Sequence, residues 1–126
     1  MSSLVSRLWH RRPLWWSLNV GVLIVITLAS LLSPGNLLVS TGGHDKLWHA
    51  TAYFIAALLW RPLLRRPPSL VVVWIALVAY GALMEVLQGI GGVRSFEWLD
   101  MLANGSGVTA AVLLLALLWQ RVLPPR

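Results

Sequence analysis

The residues of this chain able to do acid–base, ligand or hydrogen-bonding chemistry fall into three short blocks. The first is Asp45-Lys46-Leu-Trp-His49, with Tyr53 one turn further on. The second is Glu85-x-x-Gln88, set inside the apolar stretch Tyr80-Gly-Ala-Leu-Met-Glu85-Val-Leu-Gln88. The third is Arg94 followed by Asp100-x-x-x-Asn104. Asp45, His49 and Tyr53 recur every fourth residue and Glu85 and Gln88 are three apart, so each block presents its polar groups on one helical face. An imidazole one turn from a carboxylate has its tautomer fixed by that neighbour, and such pairs are the parts of general acid–base chemistry. His49, Glu85, Asp45 and Asp100 are therefore the candidate catalytic residues. Lys46 and Arg94 are cations suited to a carboxylate or phosphate. With Tyr53, Gln88 and Asn104 they make up the candidate binding residues.

Each residue also has a purely structural reading. Asp45 could cap the helix it begins, and Lys46 could anchor that helix at a membrane interface. His49 and Tyr53 could be packed, hydrogen-bonded core residues. Arg94 could form a salt bridge to Glu97 or Asp100. Gln88 reads as an orienting partner for Glu85. Glu85 is the hardest to explain structurally, because an ionisable group within an apolar run is costly unless it has work to do. Asp45, His49, Glu85 and Asp100 are oxygen and nitrogen donors, but no His-x-x-x-His pair is present. A tight zinc site is not expected, and no metal or cofactor is assigned. The chain has no cysteine, which excludes thiolate chemistry. Ser95 and Ser106 lack a nucleophile signature, and Gly105-Ser-Gly107 lacks the Gly-Lys-Ser/Thr pattern of a phosphate loop.

Composition indicates which elements must position these groups. Of 126 residues, 58% are hydrophobic and 11% charged, against about 25% charged in a soluble domain. The chain therefore reads as a single all-α membrane domain, 1–126, with no separate soluble module. A membrane-spanning helix needs about 20 mostly apolar residues. Four stretches qualify as expected spans, at 14–32, 47–64, 70–90 and 99–119. All seven prolines fall at or near the ends of these runs, where helices tolerate them. The first run is too long for a cleaved signal peptide and is read as retained.

The net charge of +6 could suggest nucleic acid, but the basic residues lie in short segments between apolar runs, so no nucleic-acid partner is expected. They report orientation instead. Arg7, Arg11 and Arg12 precede the first run, Arg61, Arg65 and Arg66 separate the second from the third, and Arg121 and Arg126 follow the fourth. That bias predicts both termini and the middle loop on the cytoplasmic side. Trp15, Trp16, Trp60, Trp74 and Trp119 then fall near inner ends, and Trp48 and Trp98 near outer ends, as interfacial belts favour. All four acidic residues, Asp45, Glu85, Glu97 and Asp100, lie toward the outer side. The expectation is that three helices turn polar faces toward one another just beneath that surface, because polar groups facing lipid are costly. Gly105 and Gly107 are expected to allow close helix approach.

These blocks, in the order Asp45-Lys46-x-x-His49-x-x-x-Tyr53, Glu85-x-x-Gln88, then Arg94 and Asp100-x-x-x-Asn104-x-x-Gly107, resemble the VanZ-like family of small bacterial integral membrane proteins, named after a protein associated with teicoplanin resistance. The resemblance runs from about Asp45 to the end of the fourth span. Ala50, where a bulky aromatic is common, and the glycine-rich Gly89-Ile-Gly-Gly turn depart from it mildly. It implies a multi-pass protein of the bacterial cytoplasmic membrane with a link to the cell envelope or its glycans. The expected activity is binding of, or action on, an envelope head group such as a lipid-linked saccharide or peptidoglycan precursor. The alternatives are a membrane-embedded hydrolase or transferase using His49 and Glu85 as acid and base and, less favoured, a transporter.

Overall fold

A computed structural model describes residues 3–32, 44–92 and 95–122. These residues are mostly helical, with no strand among them. The elements are α1 (Ser3–Trp9), α2 (Arg12–Leu32), α3 (His44–Leu58), a single 3-10 turn at Arg61–Leu63, α4 (Ser69–Gly91), α5 (Trp98–Leu117) and α6 (Trp119–Val122). Three of them, α2, α4 and α5, are long and apolar enough to cross a membrane, which marks a multi-pass membrane protein. Their boundaries match the first, third and fourth expected spans to within two residues.

The second expected span, 47–64, differs from what is found. The helix begins earlier, at His44, and ends at Leu58, so α3 has 15 residues and is about 22 Å long. Pro62 explains the early end, because it has no N–H to donate to the Leu58 carbonyl four residues back and its ring clashes with that carbonyl. The chain continues through Leu59 and Trp60 into the 3-10 turn and leaves it extended at Leu64. The fourth expected span is likewise divided, with α5 ending at Leu117 and α6 starting at Trp119. At the end of α4, Gly92 takes the left-handed conformation (φ 65°) that glycine adopts without strain, which stops the helix.

Contacts fix the relative directions of the four long elements. Lys46 reaches Asp100, His49 reaches Asn104, and Ala50 lies against Gly107. Residue numbers rise together, so α3 and α5 run parallel. Tyr80 meets Leu23 and Thr27, and Gln88 meets Ser30, so α2 and α4 are also parallel. Trp74 contacts Thr109 while Gly81 faces Asn104, which sets α4 antiparallel to α5. The result is an up-down-up-down arrangement.

The tightest seam is between α3 and α5. A Cβ built at Gly107 would collide with the Ala50 carbonyl group, so glycine is what lets the two backbones close. Gly105 was expected to do the same, but a Cβ there meets nothing within 4 Å. Next to the seam, Tyr53, Ala56, Ala57, Val73, Leu77, Val108 and Ala111 form the core. By contrast, α2 buries only Asn19 and Ile26. Its remaining apolar face is outward, as suits a helix surrounded by lipid.

Polar residues are not confined to one end, as the sequence suggests they should be. At the end opposite His49, the buried Asn19 amide donates to Trp15 O (2.8 Å) and to Leu59 O (2.9 Å), joining α2 to the end of α3. Arg61 is also buried there, at 2% exposure. Its guanidinium lies 3.6 Å over the Trp119 ring and donates to Trp119 O at 3.1 Å. Midway along α2 and α4, the Thr27 and Tyr80 hydroxyls lie 2.6 Å apart and share the Leu23 carbonyl.

Candidate functional site

At the His49 end, the first turn of α3 holds Lys46 against two carboxylates at the start of α5, Glu97 and Asp100. Asp100 is in the first turn of α5 and fully buried. Lys46 extends across from α3 and donates to Asp100 Oδ1 at 3.0 Å and to Glu97 Oε2 at 3.1 Å. Those two hydrogen bonds, Asp100 first, raise the Lys46 pKa above its ordinary 10.5. The lysine thus ties two helices together, which goes beyond the interfacial anchoring that its position in the sequence suggests. Its partners are also the two carboxylates that the sequence offered to Arg94.

One turn further along, His49 Nδ1 lies 2.9 Å from Asn104 Oδ1. An amide oxygen can only accept, so Nδ1 carries the hydrogen and the neutral ring presents its Nε2 lone pair on the other side. That atom faces two carboxylates, Asp45 Oδ1 at 3.8 Å and Asp100 Oδ2 at 3.7 Å. Asp45 is the second residue of α3 and so lies inside the helix, not at its cap. There its charge also suits the positive end of the helix dipole.

The face Asp45–His49–Tyr53 continues inward to Tyr53, which is 2% exposed. Its ring packs on Gly81, where a Cβ would come within 3.1 Å of both Tyr53 Cε1 and Asn104 Cβ. Gly81 is therefore where α4 approaches both α3 and α5. The Tyr53 hydroxyl is buried without a hydrogen-bonding partner among the described residues. Glu85, one turn along α4 from Gly81, lies on the same buried stripe at 1% exposure. Gln88 is on that stripe too, but its amide donates to Ser30 O on α2 at 2.8 Å instead of orienting Glu85. Arg94 lies outside the described residues.

The structure thus gathers Asp45, Lys46, His49, Asp100 and Asn104 into one cluster and sets Tyr53 one turn beneath it. Glu85 is buried on the neighbouring helix. What the sequence reading missed is Glu97 as a partner for Lys46, Gly81 as the close-approach point of α4, and the Asn19 and Arg61 contacts at the far end. Asn19 did carry a signal, since a lone amide within an apolar run needs a partner. Nothing in the sequence distinguishes Arg61 from Arg65 and Arg66.

The cluster is chemically capable of three things. Its imidazole can accept or donate a proton at Nε2. Its lysine and amide can hold an anionic or hydroxyl-bearing group. Its carboxylates and imidazole can ligate a cation. No family model, curated protein or solved structure matches the chain.

Proposed function

We propose that this chain is a VanZ-like protein of the bacterial cytoplasmic membrane that binds an envelope head group, a lipid-linked saccharide or a peptidoglycan precursor, at the cluster around His49. In this reading the cluster is at the extracytoplasmic surface and both termini are cytoplasmic, as the arginine distribution favours. The fourth crossing is made by α3 together with the residues after it. From Leu47 onward, the helical residues to Leu58, the two that follow and one 3-10 turn together extend roughly 27 Å, close to the thickness of the hydrocarbon layer.

The observation that carries the reading is the convergence of Lys46, His49, Asp100 and Asn104 from two helices within about one helical turn of depth. Buried and half-buried polar residues at the end of an apolar bundle favour a site for a group with a polar head and a lipid tail. Lys46 and Arg94 would hold its anionic part, and Asp45, His49, Tyr53, Glu85 and Asn104 would supply hydrogen bonds.

The test is lipid mass spectrometry of the chain purified in mild detergent, alongside His49→Ala and Glu85→Gln. The reading expects a polyprenyl-linked or phosphorylated envelope lipid with the parent chain and less of it with both variants. Turnover of that lipid, lost in folded His49→Ala and Glu85→Gln, would replace binding with hydrolase or transferase activity. Ordinary bulk lipids in unchanged amounts throughout would overturn the reading, and solute flux in proteoliposomes would favour transport.

A further inference from the structure

We propose that Asp45, His49 and Asp100 form a divalent-cation site, with Asp45 Oδ1, His49 Nε2 and Asp100 Oδ2 as its three protein ligands. It uses residues of the cluster described above but does not require a head group.

Geometry supplies the first argument. One donor atom from each of the three residues lies within 4.8 Å of the others. His49 Nε2 is 3.8 Å from Asp45 Oδ1 and 3.7 Å from Asp100 Oδ2. Both separations are too long for a hydrogen bond, which ends near about 3.2 Å. They suit two donors on one ion. Three donor atoms all within 4.8 Å of one another have a centre no more than about 2.8 Å from each. Metal–ligand distances run from about 2.0 to 2.6 Å, so side-chain adjustments of a few tenths of an ångström complete the site.

The second argument is the orientation of the imidazole. Asn104 is not a ligand, yet its amide oxygen holds Nδ1–H at 2.9 Å and turns the Nε2 lone pair onto the two carboxylates. Histidines that bind metals are oriented in this way by an acceptor on the other ring nitrogen. A proton on Nε2 would bond along one line to one oxygen. Here the two oxygens are nearly equidistant, which fits a larger cation lying between them.

Ligand type supplies the third. The cluster is rich in carboxylates, those of Asp45, Glu97 and Asp100, and carboxylate oxygens are ligands that suit a divalent cation. Lys46 binds the other oxygen of Asp100, Oδ1, so Oδ2 stays turned toward His49. The side chains of Asp45 and His49 are 13% and 15% exposed against 1% for Asp100, so an ion can arrive from one side of a buried anchor. One nitrogen and two oxygens favour Zn2+ or Mn2+ over Ca2+, and three protein ligands leave a coordination position open to water or an oxyanion. The sequence offered these donors without a His-x-x-x-His pair. The third ligand comes instead from another helix.

The test is titration of the full chain, freed of metal by a chelator in mild detergent, with Co2+ followed by its visible spectrum, then competition by Zn2+. The expected result is one ion per chain with a d–d band of mixed nitrogen and oxygen ligation. Asp45→Asn and His49→Gln, which alter half-buried side chains, should weaken binding at least about tenfold while retaining the helical circular dichroism of the parent. Asn104→Leu should weaken it by about 10–100-fold through loss of orientation. Absence of Co2+ and Zn2+ binding by the parent chain, or equal affinity in folded Asp45→Asn and His49→Gln, would overturn the proposal. Cation binding without any retained envelope lipid would leave this site standing and remove the head-group reading. Retained lipid without cation binding would do the reverse.

Discussion

Gly105 and Gly107 lie two residues apart on α5, and alanine at each position separates packing from helix propensity. A Cβ on Gly107 would lie 2.9 Å from the Ala50 carbonyl carbon and 3.1 Å from its Cα. Carbon–carbon contact is favourable only from about 3.5 Å outward. The Ala50 carbonyl oxygen is nearer still, and this obstacle is helix backbone that cannot rotate aside, so α3 and α5 must separate by roughly an ångström. Overpacking of this kind costs about 1–3 kcal/mol. At Gly105 the added methyl meets nothing within 4 Å. Both substitutions improve helix propensity by about the same 1 kcal/mol, so their difference isolates the steric part. Gly107→Ala should therefore be less stable than Gly105→Ala by about 1–3 kcal/mol in reversible unfolding in mixed micelles. The same separation acts on the His49–Asn104 hydrogen bond, now 2.9 Å, and stretches it past the limit of the interaction. The His49 ring resonances should then shift in Gly107→Ala and stay in place in Gly105→Ala. Equal stability of the two variants, or an advantage for Gly107→Ala, would refute the close approach.

Three further outcomes are expected. Arg61→Ala, which removes the stacking on Trp119 and the bond to its carbonyl, should lower stability by about 1–3 kcal/mol, whereas the exposed Arg66→Ala should shift unfolding by no more than about 0.5 kcal/mol. Tyr53→Phe removes a buried hydroxyl that has no partner among the described residues, so the unfolding midpoint should hold or rise while retention of the proposed head group falls. Lys46 sits in the first turn of α3, ahead of the apolar run, and its folded pKa is raised by Asp100 and Glu97. Its contribution is therefore complete below the ordinary value of 10.5 and is lost as pH rises through the higher folded value. The stability gap between parent and Lys46→Met should stay constant from neutral pH to about 10.5 and close above it.

The helices were legible because apolar run length and proline position are local properties. Leu14 to Leu32 and Leu70 to Ile90 could be read almost to the residue. Where a boundary depends on a distant contact, local reading failed. The run from Leu47 to Leu64 looks continuous by composition, yet Pro62 and the burial of Arg61 under Trp119 end the helix at Leu58. The same clamp lies at the junction between α5 and α6. Composition cannot tell a buried arginine from an interfacial one.

For the site, periodicity showed which residues share a face but not which helices meet. Asp45, His49 and Tyr53 belong on one side of α3 whatever they face, and Asp100 and Asn104 on one side of α5. Their meeting depends on backbone distance, because aspartate and asparagine side chains are short. Ala50, next to His49, and Gly107, three residues on from Asn104, set that distance just inward from the His49–Asn104 pair. Further out Lys46, with a longer side chain, is the residue that reaches across to Asp100 and Glu97. Side-chain length and a single glycine thus divide the seam into a contact of backbones, a short polar pair and a long ion pair. Glu85 and Gln88 share a stripe on α4, but Gln88 is drawn to the Ser30 carbonyl of α2. An amide within an apolar bundle takes whichever acceptor the neighbouring helix leaves within reach, and the sequence of α4 alone cannot name that neighbour.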